Sequence, residues 1–195
     1  MKLKISLVFL VVSIFGLSAF TYKADPTDYK VEVSKSSITW IGRKIAGSHN
    51  GTILLKSGNL LVKGKTLVGG NFVMDMTSIK ESEGSVKLEG HLNSEDFFST
   101  RKFPTSTFVI TKVSGSGNNL KVLGNLTIKG ITNAVVFPAT VDVNSDGSVS
   151  ALAGKILVDR TKYDIRYGSK SFFDSIGDKA IDNMFEIGVK LVASK

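Results

Sequence analysis

From Tyr29 onward the chain alternates apolar and polar residues with a period of two. Leu120, Val122, Gly124, Leu126 and Ile128 fall on one side of an extended chain, and Lys121, Asn125, Thr127 and Lys129 on the other, with Leu123 the exception. Val135, Phe137, Ala139, Val141 and Val143 stand opposite Thr140 and Asp142. Phe185, Ile187, Val189 and Leu191 stand opposite Glu186 and Lys190, and Gly70, Phe72, Met74 and Met76 opposite Asn71 and Asp75. Side chains of a strand point alternately to its two faces, so each run has one apolar and one mostly wet face. Between the runs lie turn signals at Asn50-Gly51, Gly64-Lys65, Gly115 to Asn119, Gly130 and Asn144 to Gly147. Many short strands with turns at this spacing predict an all-β antiparallel sandwich or barrel.

Two stretches break the alternation. Ser85 to Phe98 reads as a helical excursion, with Asn93 or Ser94 capping a helical turn and Glu95 and Asp96 near its N-terminus. Leu88, Leu92, Phe97 and Phe98 would then face inward. Asp159 to Asp182 is long for a loop and holds Tyr163, Tyr167, Phe172, Phe173 and Ile176. Long ordered loops of this kind often form lids or rims.

The N-terminus carries Lys2 and Lys4, then an apolar run from Ile5 to Leu17, with Gly16, Ser18 and Ala19 as small residues near its end. That run is too short to span a bilayer comfortably and has the shape of a secretory signal. Residues 1–20 are therefore expected to be a cleaved signal peptide, 21–28 a linker and 29–195 one barrel domain. A periplasmic or secreted location follows. There is no cysteine. Disulfides, thiol nucleophiles and cysteine metal ligands are excluded, and the domain must hold together by its core. The formal charge of +8 falls to +6 when Lys2 and Lys4 leave. The remaining basic residues are dispersed, which argues against nucleic acid. A mildly basic surface is compatible with transient contact with anionic membrane surfaces, and equally with plain solubility.

Catalytic signatures are missing. The two histidines, His49 and His91, are far apart in sequence and have no metal-ligand spacing partner. There is no Gly-x-Ser-x-Gly elbow, phosphate loop or His-Glu-x-x-His. An enzyme acting on a lipid would have to rely on these histidines and scattered carboxylates, so the expected protein is not an enzyme.

What remains is apolar binding. Gly70, Gly124, Ala139 and Gly154 are interleaved with large apolar residues on the strand faces. Small residues there leave room for a lumen, and an eight-stranded barrel is about wide enough for one small ligand. The expected lining is Phe72, Met74, Phe98, Phe103, Phe108, Leu126, Phe137 and Ile156, with Phe172 and Phe173 at the mouth. Arg101, Arg160 and Arg166 are candidates to meet a polar or phosphorylated head group. Strand glycines also mark bends, so a barrel filled by its own side chains, serving a structural or stress-related interaction role, stays open. The oligomeric state, including a homodimer, is open too.

The irregular segments also carry a resemblance. Gly90-His91-Leu92, a polar turn, Phe97-Phe98 and then Phe103-Pro104 with Phe108 form one pattern. Gly124, Leu126, Thr127, Gly130 and Thr132 form a second, Asp159, Arg160 and Tyr163 a third, and Gly177-Asp178 a fourth. Taken in order, from about Tyr29 to Ala193, they resemble the YceI-like family of exported lipid- or polyisoprenoid-binding proteins. The resemblance implies an extended, lipocalin-like antiparallel β-barrel of about eight strands with short helical excursions. It further implies an amphiphilic lipid or isoprenoid as the ligand, with no other cofactor. This chain departs from the family pattern at Asn125, in an enlarged aromatic segment from Tyr167 to Ile176, and in lacking the lipocalin Gly-x-Trp, since Trp40 precedes Gly42.

Overall fold

A computed structural model describes residues 25–173 and 177–195. The expected signal peptide, the first part of the linker and Ile176 lie outside the described residues. Nine strands are present among the described residues: β1 (Thr27–Val31), β2 (Ser37–Lys44), β3 (Gly47–Lys63), β4 (Thr66–Glu81), β5 (Thr105–Ser116), β6 (Asn119–Ile128), β7 (Ile131–Val143), β8 (Val149–Asp159) and β9 (Ile181–Ser194). Thr27 and Asp28, read as linker, already belong to β1. One helix, α1 (Val86–Asn93), interrupts them between β4 and β5.

Strands β2 to β9 pair antiparallel in chain order, and β9 returns to β2, which closes an eight-stranded barrel. Closure removes the free edges that an open sheet would expose. The ninth strand, β1, lies at one end, pairing with β3 at Thr27↔Val62 and meeting β9 at Val31↔Ala193.

The seams between strands are unequal. The β6–β7 ladder runs from Leu120↔Ala139 to Ile128↔Ile131, nearly the full length of β6. Two seams are short. Strand β4 meets β5 only at Asn71–Asp75 against Thr105–Val109, and β7 meets β8 only at Thr140–Val143 against Val149–Leu152. The barrel wall is thus two broad panels, β5–β6–β7 and β8–β9–β2–β3–β4, joined along short stretches.

Most of the turns fall where glycine predicts them. Lys129-Gly130 joins β6 to β7 with φ of 52° and 75°, the pair of positive values that a tight two-residue hairpin requires. Asn50-Gly51 is a correction. It lies inside β3, paired with Ile41 and Trp40, and the chain reverses at Ile45-Ala46 instead. Gly51 is needed because β3 passes against β4 there: a Cβ would overlap the Lys80 carbonyl and come within 2.8 Å of the Trp40 ring.

The helical excursion also runs differently. Ser85 caps α1, its hydroxyl accepting from the Leu88 N–H, and Ser94 ends the helix that it was expected to begin. The true signal is Ser85 followed by an acidic residue in the first turn, Glu89. Glu89 also accepts from the Glu81 N–H at 3.1 Å and pairs with Lys80 at 2.8 Å, which fastens α1 to the end of β4.

The core is in two clusters. Tyr29, Val31, Leu60, Val62 and Leu191 pack at the β1 end. Trp40, Leu92, Phe97, Tyr163 and Ile165 pack at the end covered by α1 and the segment after β8.

Candidate ligand cavity

Between the two clusters the inward faces do not meet. They enclose a cavity of about 140 Å³. At roughly 10–15 Å³ per water-sized body, it has room for about ten such bodies. A methylene group takes up about the room of one water, so the volume suits a hydrocarbon moiety of about that many carbons.

Every strand from β2 to β9 contributes to the lining, and Ser106 is the single polar side chain among the lining residues. Its hydroxyl lies 3.1 Å from the Met76 sulfur, a weak acceptor. No charged group faces the cavity. Such a space favours apolar matter strongly and has nothing with which to hold a polar head.

Of the residues singled out from sequence, Phe72, Met74, Phe98, Phe108, Leu126, Phe137 and Ile156 line this cavity. Phe72 and Phe108 stack with ring centroids 6.4 Å apart, and Phe108 and Phe137 lie 5.5 Å apart. Phe103 does not line it. Its ring lies under the Lys102 ammonium, 5.3 Å away, and beside Gly130 at the hairpin. Phe172 and Phe173 are 45% and 49% exposed and line neither this cavity nor its neighbour.

The glycines act differently from the expectation. A Cβ on Gly124 would overlap the Phe108 ring, and one on Gly70 would come 3.4 Å from both Phe72 and Ile110. These glycines do not leave the room empty. At Gly124 the room goes to the Phe108 ring, and at both positions a Cβ would also come within 2.6 Å of a neighbouring carbonyl, that of Val109 or of Asn59. Gly154 has open space around it and lies on the exterior.

The three candidate arginines part ways. Arg101 is exposed. Arg166 pairs with Asp164 at 2.8 Å and lies over the Phe172 ring, 4.8 Å from its centre. Arg160 is buried, and its guanidinium donates to the carbonyls of Asp182, Ile165, Tyr167 and Ile181 at 2.8–3.0 Å. Burial pulls its pKa below the ordinary arginine value, against the charges of Asp159 and Asp182. Four of its five N–H donors are spent on the loop after β8 and the start of β9, so it acts as a staple rather than a head-group clamp.

A second, smaller cavity of about 70 Å³ lies under α1, lined by Trp40, Ile79, Leu92, Phe97, Arg160 and Ile165 among others. Ile53, Phe98 and Phe185 line both spaces and so stand between them. Above it, the His91 ring meets Tyr167 edge-on at 4.5 Å and Phe97 at 4.9 Å. His49 sits 3.5 Å from the buried Glu81 carboxylate. Among the described residues no group of three or more His, Asp or Glu is placed to hold a metal ion, and no helix is long and apolar enough to cross a membrane.

Several lining residues went unread in the sequence, among them Ile53, Leu55, Leu60 and Ser106. Strand β3 explains the first three. Its pairing with β4 slips between Thr52 and Leu54, between Leu55 and Ser57, and between Leu61 and Val62. The slip between Leu55 and Ser57 shifts the phase within β3, whose buried positions are Gly51, Ile53 and Leu55 before it and Leu60 and Val62 after it.

A closed antiparallel barrel with an almost wholly apolar interior and irregular segments over one end defines the class of protein. The particular family is equally plain: the profile of the YceI-like domain matches residues 29–193, and the chain belongs to that family. Protein YceI of Escherichia coli O157:H7 is 35% identical over 69 residues, 35% of each chain. This chain thus spans about a third of the length of the curated YceI relatives it matches. BcnA of Burkholderia cenocepacia has a similar fold, with a TM-score of 0.70 at 20% identity over 84% of this chain and 99% of that one. A polyisoprenoid-binding domain from Saccharophagus degradans superposes with a TM-score of 0.64 at 14% identity, over 85% of this chain and 97% of that one.

Proposed function

We propose that this protein is a non-enzymatic carrier that holds one long-chain apolar lipid, such as a polyisoprenoid or an isoprenoid quinone, in its barrel. The observation that carries this reading is the cavity, closed by eight strands and lined by apolar side chains with Ser106 as the one polar exception. The description of the Saccharophagus degradans relative as polyisoprenoid-binding supports the same ligand class. Apolar burial of roughly 25 cal/mol per Å², less the cost of ordering the chain, is sufficient to hold such a tail without a hydrogen bond. A charged head stays outside, because nothing in the lumen would replace its water. The basic, apolar N-terminal run supports a location outside the cytoplasm, in the periplasm or secreted, and transient contact with lipid surfaces during exchange is part of the same reading.

Native mass spectrometry of the protein purified from its own envelope without detergent tests the proposal. The expected result is a discrete added mass released by organic solvent. A protein that arrives empty and stays empty when offered polyprenols and quinones overturns it.

A further inference from the structure

Leu152 is the one exposed residue among those lining the main cavity, at 52% exposure. On β8 the inward positions are Val149, Ala151 and Ala153, so Leu152 belongs to the outer face. Leu152 stands between the small inward residues Ala151 and Ala153, at the place where the β7–β8 ladder ends. Thr140↔Leu152 is the last pair of the β7–β8 ladder. Beyond it β7 continues through Ala139, Pro138 and Phe137, and β8 through Ala153, Gly154 and Lys155, with no pairing between them. Ala139, Ala153 and Phe137 all line the cavity. The gap is bounded at its far end, where the Asn133 side chain donates to the Lys162 carbonyl at 3.0 Å and the turn after β8 packs on β7.

From these facts we infer that the β7–β8 seam is a lateral portal through which a single hydrocarbon chain enters and leaves the lumen, an inference that rests on the carrier reading above. Strand backbones normally pair their N–H and C=O groups, and a pairing gap in a barrel wall is costly unless water or motion serves those groups. Strand β8 is also irregular at this point. Its register with β9 slips between Ala153 and Ile156, and the slip contains Gly154, whose surroundings are open. Bulges of this type are frequent beside functional sites, where they re-aim a strand. The outer surface beside the seam carries exposed apolar residues, Val136 of β7 and Leu157 of β8, each 48% exposed, next to Lys155, which lies 3.4 Å from Glu186. A hydrocarbon chain leaving a lipid surface would therefore meet apolar contacts before reaching the cavity.

The other routes are closed. The second short seam, β4–β5, contributes no exposed residue to the lining: Leu67 is 3% exposed and Ile110 packs against Gly70. The β1 end is covered by buried Tyr29 and Val31. The α1 end is covered by buried Leu92, Phe97, Arg160 and Ile165.

The chain has no cysteine, so an introduced pair is free of competing thiols. Ala139 on β7 and Ala153 on β8 are the first residues past the last pair, Thr140↔Leu152, on the two sides of the gap. An Ala139→Cys, Ala153→Cys protein would be loaded with cis-parinaric acid from phosphatidylcholine vesicles, oxidised and reduced, and its release followed by fluorescence. A Leu152→Glu protein provides an independent arm that needs no disulfide, and Val68→Glu on the other short seam provides the control. A portal predicts that loading and release slow together, by roughly tenfold or more, on oxidation and with Leu152→Glu, because a carboxylate in the passage opposes an apolar chain. The Val68→Glu protein should not slow. Faster release at unchanged loading in Leu152→Glu would make Leu152 a simple wall contact and overturn the portal. Unchanged kinetics in both seam variants, or equal slowing by Val68→Glu, would overturn it as well. If the unaltered protein takes up no parinaric acid, the carrier reading itself fails and the portal fails with it.

Discussion

The ring of Phe108 on β5 lies across Gly124 on β6, in the space that a Cβ at Gly124 would occupy. Position 124 is therefore glycine because of its neighbour rather than because of a bend, and the pair acts as one unit of the lumen wall. Gly124→Ala forces the ring inward or the strands apart. Overpacking of this kind costs about 1–3 kcal/mol. Chemical denaturation should show that loss, and lipid uptake should fall because the displaced ring takes up cavity space. Gly124→Ala combined with Phe108→Leu should recover part of both.

Phe137 projects from β7 into the same space, 5.5 Å from Phe108. Phe137→Glu places a charge where no polar partner except Ser106 faces the cavity. Binding of an apolar chain should weaken by roughly hundredfold or more, since the carboxylate must stay hydrated. Titration with a fluorescent fatty acid measures this, and circular dichroism verifies that the barrel survives. Undiminished binding would place the ligand somewhere other than the lumen.

Arg160 holds four carbonyls from two separate segments. Arg160→Met leaves those acceptors and removes the donors, which should cost about 3 kcal/mol or more of stability. Arg160→Lys should recover only a fraction, because an ammonium cannot reproduce the planar fork. If Arg160 is a staple, binding of charged and uncharged lipids should fall alike, in step with the fraction folded. A selective loss of phosphorylated lipids would restore the head-group role.

The legibility of this chain varied strand by strand. In β6 and β7 every inward residue could be counted off, because the ladder between them runs without a slip. In β3 it could not, because the slip between Leu55 and Ser57 moves the buried positions from Gly51, Ile53 and Leu55 to Leu60 and Val62. Asn50-Gly51 looked like a turn because the dipeptide carries that signal locally, while the actual reason for Gly51 is a tertiary contact with Lys80 and Trp40. Phe172 and Phe173 looked like rim residues because they are large and apolar. They are about half exposed, and sequence spacing cannot show which way an irregular segment turns. Arg160 was recognised as special, but its role depends on carbonyls up to 22 residues away. Seven of the ten expected lining and mouth residues face the cavity, all but Phe98 of them on strands, where a period of two is informative.

Glu81 ends β4 as a buried carboxylate that accepts from the N–H groups of Ser85 and Glu83 at 3.1 and 2.9 Å. The Ser85 N–H chiefly, with Glu83 and His49 adding, holds its pKa below the ordinary value of 4.5, against the effect of burial. A carboxylate depressed in the folded state stabilises the fold above its unfolded pKa, and that contribution is lost as the pH falls through the folded value. Stability should therefore be flat from neutral pH down to about 5 and decline below 4.5. Glu81→Gln should be less stable at neutral pH and show a shallower acid decline, in denaturation midpoints taken between pH 3 and 7. An unchanged acid slope would shift the dependence to Asp75 or Glu89, whose pKa values are lowered by Thr77 and Lys80 respectively.

Tyr163 is 1% exposed, and its hydroxyl has no hydrogen-bond partner among the described residues. Burial, with a smaller push from the Asp159 charge, raises its pKa from 10.0 to about 12. An unpaired buried hydroxyl costs about 1–3 kcal/mol, so Tyr163→Phe, which keeps the ring, should stabilise the barrel by about 1 kcal/mol. For a domain of this length that is a rise of roughly 2–4 °C in melting temperature. The same substitution should act on the alkaline limb. A phenol whose folded pKa is raised contributes stability that is complete below pH 10 and lost progressively as the pH climbs toward 12. The substituted protein should lose less stability between those two values. A fall in melting temperature instead would mean that the hydroxyl finds a hydrogen-bond partner in solution.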